Sequence, residues 1–468
     1  MVLPFRILRS DPETDFLAVS IPDAIATSLA GVESLIVRSS AAAARFAQDV
    51  PDLPRIAKEA EVDLVLTGTL LRAETGIRVA TQLASAPEGT LLWSAKSQST
   101  MRDVFQLQDV LATRIVESLS LTLTAREARM SKKDVPASAS AYELYLRGNQ
   151  IVLRGLRGGE DLRVAHDLYE RCVEEDPAYA PAWAKLGRCC WLIGKGSEAG
   201  AEMVAQAEAC FEKALFLNPG LGLAHNLYAQ IQPDLGRAED AVTRLLARLK
   251  EGSAEPELFA ALLHACRYCG LLEASVAAYE RARALDPLVS TSVNQTYYQL
   301  GEPGRAKDLM GKGTFYLDAL ILVEENRLQE AAQLLRERER ENLAPVTHAF
   351  VTSLRAAAEG ARAESVDATR RALRHFPDPE GMYYLSRHLA YCGEAEDAIA
   401  RLEEVLDRGF ILYRVLARPD QWLDPLRTRP GFQAIFDRSR EAYTRVRATF
   451  LNSDGDRLLG STTPSAGS

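Results

Sequence analysis

Apolar and polar positions follow two rhythms along this chain. Up to about residue 125 the apolar stretches are short and alternate between strand and helix periods. Val2-Leu3-Pro4-Phe5 and Ser34 to Ser39 read as short strands around an amphipathic helix at about 15–30. Asp52 to Glu61 reads as a second helix, followed by a strand from Val62 to Arg72. Strands Gly76–Ala84 and Thr90–Ser97 come next, with Ala86-Pro87-Glu88-Gly89 supplying turn chemistry between them. A third helix is predicted from Asp103 to about Thr124, with Val104, Leu107, Leu111, Ile115 and Leu119 on one face. The order βαβαβββα predicts a small two-layer α/β domain with helices on a mixed sheet. After about residue 140 the period is helical throughout, and helix-breaking residues recur at fixed intervals. Gly236, Gly270 and Gly304 stand 34 residues apart, as do Asn326 and Gly360, and Gly393 follows 33 later. Each is placed to supply the left-handed residue that ends the first helix of a pair.

Other positions keep the same phase. Proline stops the second helices at Asp176-Pro177, Asn218-Pro219, Asp286-Pro287 and Phe376-Pro377, with an insertion around Gly194–Gly200 separating the first two. Five residues past each turn a small side chain lets paired helices approach: Ala241, Ser275, Ala331, Ser365 and Ala398. Ala182-Trp183-Ala184-Lys185-Leu186-Gly187 carries the aromatic and Leu-Gly features of a first helix. Phe211 with Ala214, and Tyr279 with Ala282, match a second helix. By these residues the region from about 140 to 410 resembles tetratricopeptide (TPR) repeats. It reads as seven helix pairs plus one truncated pair at about 290–310. The resemblance implies an all-α superhelical solenoid whose first helices line a concave binding surface.

Segments of the first part resemble the N-terminal domain of TolB as it occurs in bacterial multidomain regulators. They are Val2-Leu3-Pro4-Phe5, Asp63-Leu64-Val65-Leu66-Thr67-Gly68, Leu91-Leu92-Trp93 and Asp103-Val104-Phe105-Gln106-Leu107-Gln108-Asp109. In that family the domain precedes TPR repeats and often follows a Ser/Thr kinase, a nucleotide cyclase or a winged-helix domain. The expected organisation is therefore a TolB N-terminal-like domain at 1–128, a linker at 129–140 and a TPR array at 141–410. A capping turn and helix at 411–451 and a disordered tail at 452–468 complete it. Because Met1 directly precedes the first strand, the chain reads either as a free-standing sensor or as the regulatory part of an enzyme whose catalytic domain lies upstream.

Composition narrows the function classes. With 47% hydrophobic and 25% charged residues, the 468-residue chain has a folded protein's makeup, and its net charge of -9 argues against nucleic acid as a partner. No apolar run approaches the roughly 18–20 residues that cross a bilayer. Seven cysteines scattered after Cys172 read as buried thiols, and the absence of a signal-peptide pattern points to the cytoplasm. His264-Ala265-Cys266-Arg267-Tyr268-Cys269 resembles a metal string, but on a helix His264 and Cys266 diverge by about 200°. Gly194-Lys195-Gly196-Ser197 and Gly311-Lys312-Gly313-Thr314 lack the spacing of a phosphate loop. Neither a catalytic constellation nor a cofactor or metal site is expected. The candidate site is instead the groove, mapped from the family's positions onto Arg188, Asn226, Gln230, His264, Arg267, Tyr268, Tyr383, Arg387 and Tyr391. A protein or peptide partner is expected there, since Arg and Tyr often dominate protein recognition.

Overall fold

The computed structural model describes residues 1–30, 32, 35–48, 50–73, 76–100, 110–111, 113–115, 117–118, 136–153, 159–195, 200–253, 255–309, 316–341, 343–374 and 378–460. Phe376-Pro377, the second phosphate-like string, most of the helix expected at 103–124 and most of the linker lie outside these residues. The chain forms two compact units: Met1–Cys190 with Gln206–Ala224 and Arg283–Val289, and Trp191–Ala205 with His225–Ala282 and Ser290–Ser468. These limits do not follow the boundaries expected at 128, 140 and 410.

The first unit opens with a four-stranded mixed sheet of order β1 (Arg6–Ile7), β2 (Leu64–Ala73), β3 (Gly76–Ser85), β4 (Leu91–Ser99). β1 runs parallel to β2, and β2–β3 and β3–β4 are antiparallel, with Leu64 opposite Ser85 and Ile77 opposite Ser99. Alternation fixes the register: Ile77, Val79 and Leu83 are buried while Arg78 and Gln82 face out. Gly68 is required where the Phe5 ring lies on β2, because a Cβ there would stand 2.6 Å from that ring. Helices α1 (Leu17–Ala30), α2 (Ser40–Ala44) and α3 (Leu53–Ala60) accompany the sheet, and Leu111 and Ile115 are buried.

Two sequence-based expectations fail here. Val2–Phe5 contributes only an isolated bridge, Val2 to Leu66, and the ladder begins at Arg6. Residues 35–39 form no strand. That segment is held instead by the Arg38 guanidinium, which donates to the carbonyls of Ala60, Glu61 and Leu285. Helix α2, a run of alanines capped by the Ser39 hydroxyl, has no apolar period to announce it.

The rest is helical: α4 (Ala139–Leu153), α5 (Gly159–Glu175), α6 (Ala180–Lys195), α7 (Gly200–Leu217), α8 (Gly222–Ile231), α9 (Ala238–Lys250), α10 (Pro256–Tyr268) and α11 (Leu272–Leu285). They continue as α12 (Val293–Leu300), α13 (Pro303–Asp308), α14 (Leu317–Glu324), α15 (Leu328–Glu339), α16 (Pro345–Ala358), α17 (Arg362–Leu373), α18 (Pro379–Cys392) and α19 (Ala395–Asp407). The end comprises α20 (Tyr413–Leu416), α21 (Pro430–Asn452) and α22 (Gly455–Leu459). Helices α5, α7 and α11 end immediately before Asp176-Pro177, Asn218-Pro219 and Asp286-Pro287.

In the second unit the pair turns carry positive φ at Gly236, Gly270, Gly301, Asn326, Gly360 and Gly393. Gly304 is therefore not a turn residue. Pro303 occupies the first position of α13, which puts Gly304 inside the helix and moves the left-handed residue back to Gly301. Ala241, Ser275, Ala331, Ser365 and Ala398 are all fully buried, as close helix approach demands. Where the small residue is serine its hydroxyl donates to a first-helix carbonyl twelve residues earlier: Ser275 to Leu263 at 2.8 Å and Ser365 to Ser353 at 2.9 Å.

An open solenoid touches only sequential neighbours, but this unit also closes on itself. Gly409 packs so tightly on Gly236 that a Cβ would meet Gly236 backbone at 2.7 Å. Ile411 N–H donates to Tyr268 O at 2.8 Å, and Thr449 donates to Glu239 at 2.9 Å. The disordered tail expected from 452 is corrected for its first residues, because α22 buries Leu459 and seats Gly455 against Phe450.

Candidate functional site

The residues assigned to the groove fall into two groups. Arg188, Gln230, His264 and Tyr391 are half-buried on α6, α8, α10 and α18, and Tyr391 stacks on Trp422 with ring centroids 4.5 Å apart. Asn226, Arg267, Tyr268, Tyr383 and Arg387 are buried, and in the isolated chain they line no open surface. For Arg267 and Tyr268 the physical reason is the closure of the second unit, because the start of α18 packs on α10, more than a hundred residues earlier. Asn226 is held by Glu255, and Tyr383 and Arg387 lie on α18 itself beside Phe410, Tyr298 and Trp422.

Arg267, 1% exposed, is the centre of this contact. Its guanidinium grips Glu380 of α18 with two bonds of 3.0 Å and donates to Ser292 through the carbonyl at 3.1 Å and the hydroxyl at 2.8 Å. It also meets His264 Nδ1 at 2.9 Å. An arginine only donates, so Nδ1 accepts and the His264 proton sits on Nε2, 3.6 Å from Asp234 Oδ1. Gln299 adds a bond of 2.6 Å to Glu380. Burial outweighs these partners and raises the Glu380 carboxyl above its ordinary range.

Beside it, the Tyr268 hydroxyl lies 2.6 Å from Asp234 Oδ1 and 2.7 Å from Asp378 Oδ1. One phenolic proton serves one carboxylate at a time. Lys195 compensates by reaching both, at 2.9 Å and 3.3 Å. Burial would raise the Asp234 carboxyl, but Lys195, then His264 and Tyr268, hold it well below the usual range. Burial likewise opposes the Lys195 ammonium, and the two carboxylates prevail and raise it. Asp378 also caps α18, accepting from Glu380 N at 2.9 Å and Gly381 N at 3.3 Å. Lys195, read from sequence as part of a phosphate-like string, is thus the counter-ion of two aspartates; Gly196 and Ser197 lie outside the described residues.

A second node surrounds Arg387, 2% exposed. It donates to Asp420 at 2.8 Å, Glu324 at 2.7 Å and the Tyr298 hydroxyl at 2.7 Å, with the Tyr298, Tyr383 and Trp422 rings around it. Next along α18, His388 is buried with Nδ1 2.7 Å from Ser353 Oγ. Burial, then Arg387, lower its pKa to about 3. This Ser–His pair is enclosed on all sides, so no substrate reaches the hydroxyl, and its role is packing. Cys266 and Cys269 are buried core thiols whose pKa burial raises.

Sequence reasoning missed Asp234, Asp378 and Glu380 as partners. Each reads as an ordinary helix-terminal acid: Glu380 meets its buried cation, Arg267, only where α18 covers α10, and Asp234 and Asp378 share Lys195. Chemically, every ionised group in the network faces an opposite charge, and the arrangement fixes helices in place.

Against this geometry stand the likenesses to known proteins. No protein-family model matches the chain. A relative from Rhizobium meliloti (strain 1021), named "Putative adenylate cyclase 3", is 32% identical over 187 residues. That match takes in 40% of this chain and 31% of the relative, so the chain spans about a third of that protein's length. Among solved structures, the crystal structure of the P58(IPK) TPR domain is 14% identical and aligns with 68% of this chain and 98% of its own, at a TM-score of 0.22. No helix among the described residues is long and apolar enough to cross a membrane.

Proposed function

We propose that the chain is a regulatory module acting by protein–protein contact, with the helix-pair array as its recognition surface. The observation that carries this reading is the polar network of α10 and α18. Its arginines and carboxylates are paired with one another, so removing one partner leaves an uncompensated charge, and this supports a role in holding helix positions. The partner is a protein or peptide engaged through half-buried first-helix side chains of the second unit, Gln230, His264 and Tyr391, rather than through the buried five. Truncation of Gln230 or of Tyr391 to Ala tests it. The full chain should retain a protein at stoichiometric ratio from native extract, and the folded variants should lose it. Equal retention by both variants contradicts the assignment.

The similarity to the Rhizobium protein favours a second reading at a finer level. In it the chain, with its TolB-like first domain, is the regulatory portion of a nucleotide cyclase or related signalling enzyme, acting on a catalytic domain that is elsewhere. Added in trans to the catalytic part of that relative, the chain should change the rate of cyclic nucleotide formation several-fold. No change at saturating chain would rule this reading out while leaving the first intact.

A further inference from the structure

Three helices of the first unit meet at a point that the polar network does not involve. Gly187 of α6 has no side chain, and a Cβ built there would stand 3.1 Å from the Cβ of Cys210 on α7 and 3.0 Å from the carbonyl of Ala207. The two helices therefore touch backbone to backbone. Cys190 lies three residues further along the same face of α6, about 4.5 Å of helix rise. Its thiol lies beside that of Cys210 and the imidazole of His166 on α5. His166 is steered through Nδ1 by Asp167 at 3.3 Å and by Glu170 at 4.0 Å. Both cysteines are buried, while the His166 side chain beside them is 16% exposed.

We propose that Cys190 and Cys210 form a redox-responsive thiol pair, in which a small peroxide oxidises Cys190, Cys210 closes a disulfide, and His166 positions the reactive sulfur. The charge pattern agrees with the geometry. The Cys210 thiol, against the cost of burial and together with His166, brings the Cys190 pKa down to about 6. The same contact with Cys190 raises His166, so the pair favours the thiolate and imidazolium forms. Cys210 is raised in turn, first by Cys190 and then by burial, and stays a thiol. Cys189, the adjacent residue, has no such partner; burial pushes it up to about 12.

The chemistry balances in two steps. The Cys190 thiolate attacks one peroxide oxygen, an S–O bond forms, the O–O bond breaks, and the departing hydroxide takes a proton from His166 and leaves as water. Cys210 then attacks the Cys190 sulfenic acid, the S–S bond forms, the S–O bond breaks, and the Cys210 proton leaves with the hydroxyl as a second water. Two thiols are oxidised and one peroxide is reduced. The bond would tie α6 to α7 across one helix pair.

The test uses the full chain near neutral pH with hydrogen peroxide in slight excess, quenching with a maleimide and peptide mass spectrometry. A Cys190–Cys210 linked peptide should form first, lowering free thiols from seven to five. Before oxidation, Cys190 should alkylate at least tenfold faster than Cys189, its neighbour and internal control. His166→Gln should slow disulfide formation at least tenfold, and Cys210→Ala should accumulate a dimedone-reactive sulfenic acid at Cys190. Circular dichroism reports whether each variant folds. If His166→Gln does not, the ratio of Cys190 to Cys189 labelling in the unaltered chain decides. Oxidation that begins at another cysteine, or equal labelling of Cys189 and Cys190, overturns the proposal.

Discussion

Replacing Arg267 by methionine tests the network at its most buried cation. Methionine keeps most of the side-chain volume and removes five polar contacts: two to Glu380, two to Ser292 and one to His264. The dominant cost is the Glu380 carboxylate, which is 3% exposed and loses its counter-ion. Breaking a buried pair from one side costs about 3–5 kcal/mol. The carboxyl has an escape, which is to take up a proton. For a reference pKa of about 4.3 this costs about 3.7 kcal/mol at pH 7 and about 1 kcal/mol at pH 5. Lost hydrogen bonds to Ser292 and His264 add about 1 kcal/mol at either pH. The expected penalty is therefore about 4–5 kcal/mol at pH 7, shrinking to about 2 kcal/mol at pH 5. The sign follows from linkage: a carboxyl raised in the folded state binds its proton more tightly there, so stability is recovered as pH falls towards the unfolded pKa. Urea denaturation of the chain and the variant at both pH values measures it. Glu380→Gln in the methionine background, which keeps an acceptor for Gln299, should restore about 2 kcal/mol or more at pH 7 and little at pH 5. A single-variant cost below about 1 kcal/mol, an equal cost at both pH values, or no rescue by glutamine would refute the reasoning.

Other expectations follow from single sites. His388, lowered to about 3 by burial, is neutral in the fold; its contribution is present above about pH 6.5 and fades as pH falls, by about 1.4 kcal/mol per unit. His388→Gln should flatten the acid limb of a stability–pH curve between pH 6.5 and 5. Gly236→Ala places a Cβ 2.9 Å from the Arg408 carbonyl oxygen at a φ of +78°, and a melting curve should show a loss of about 2–3 kcal/mol. Truncation after Asn452 removes the buried Leu459, and a loss of about 1.5–3 kcal/mol is expected by the same assay, whereas a disordered tail would cost nothing.

Much of the helical architecture is legible in the sequence. Punctuation is local chemistry: Gly236, Gly270, Asn326, Gly360 and Gly393 mark turns because few residues accept a left-handed backbone, and all five have positive φ. The slip at Gly304 has the same origin, since Pro303 starts a helix and shifts the turn by three residues, a local signal that the strict period masked. The strand misread at Ser34–Ser39 shows the opposite case, in which a buried arginine holds an extended segment that pairs with nothing in a ladder. The polar network was not legible. A helical period tells which residues share a face, and the family's groove positions fall on Arg267 and Tyr268 of α10. It carries no information about a cover supplied by α18, 113 residues later in sequence. Pairings at that separation depend on the whole stack, and no short pattern in the chain encodes them.

Amide hydrogen exchange followed by mass spectrometry tests the closure of the second unit most directly. The account predicts that Glu380→Ala, a change on α18, raises exchange in the peptide covering Pro256–Tyr268 as well as in its own helix. Exchange that rises only around residue 380, with Pro256–Tyr268 as protected as before, would contradict it.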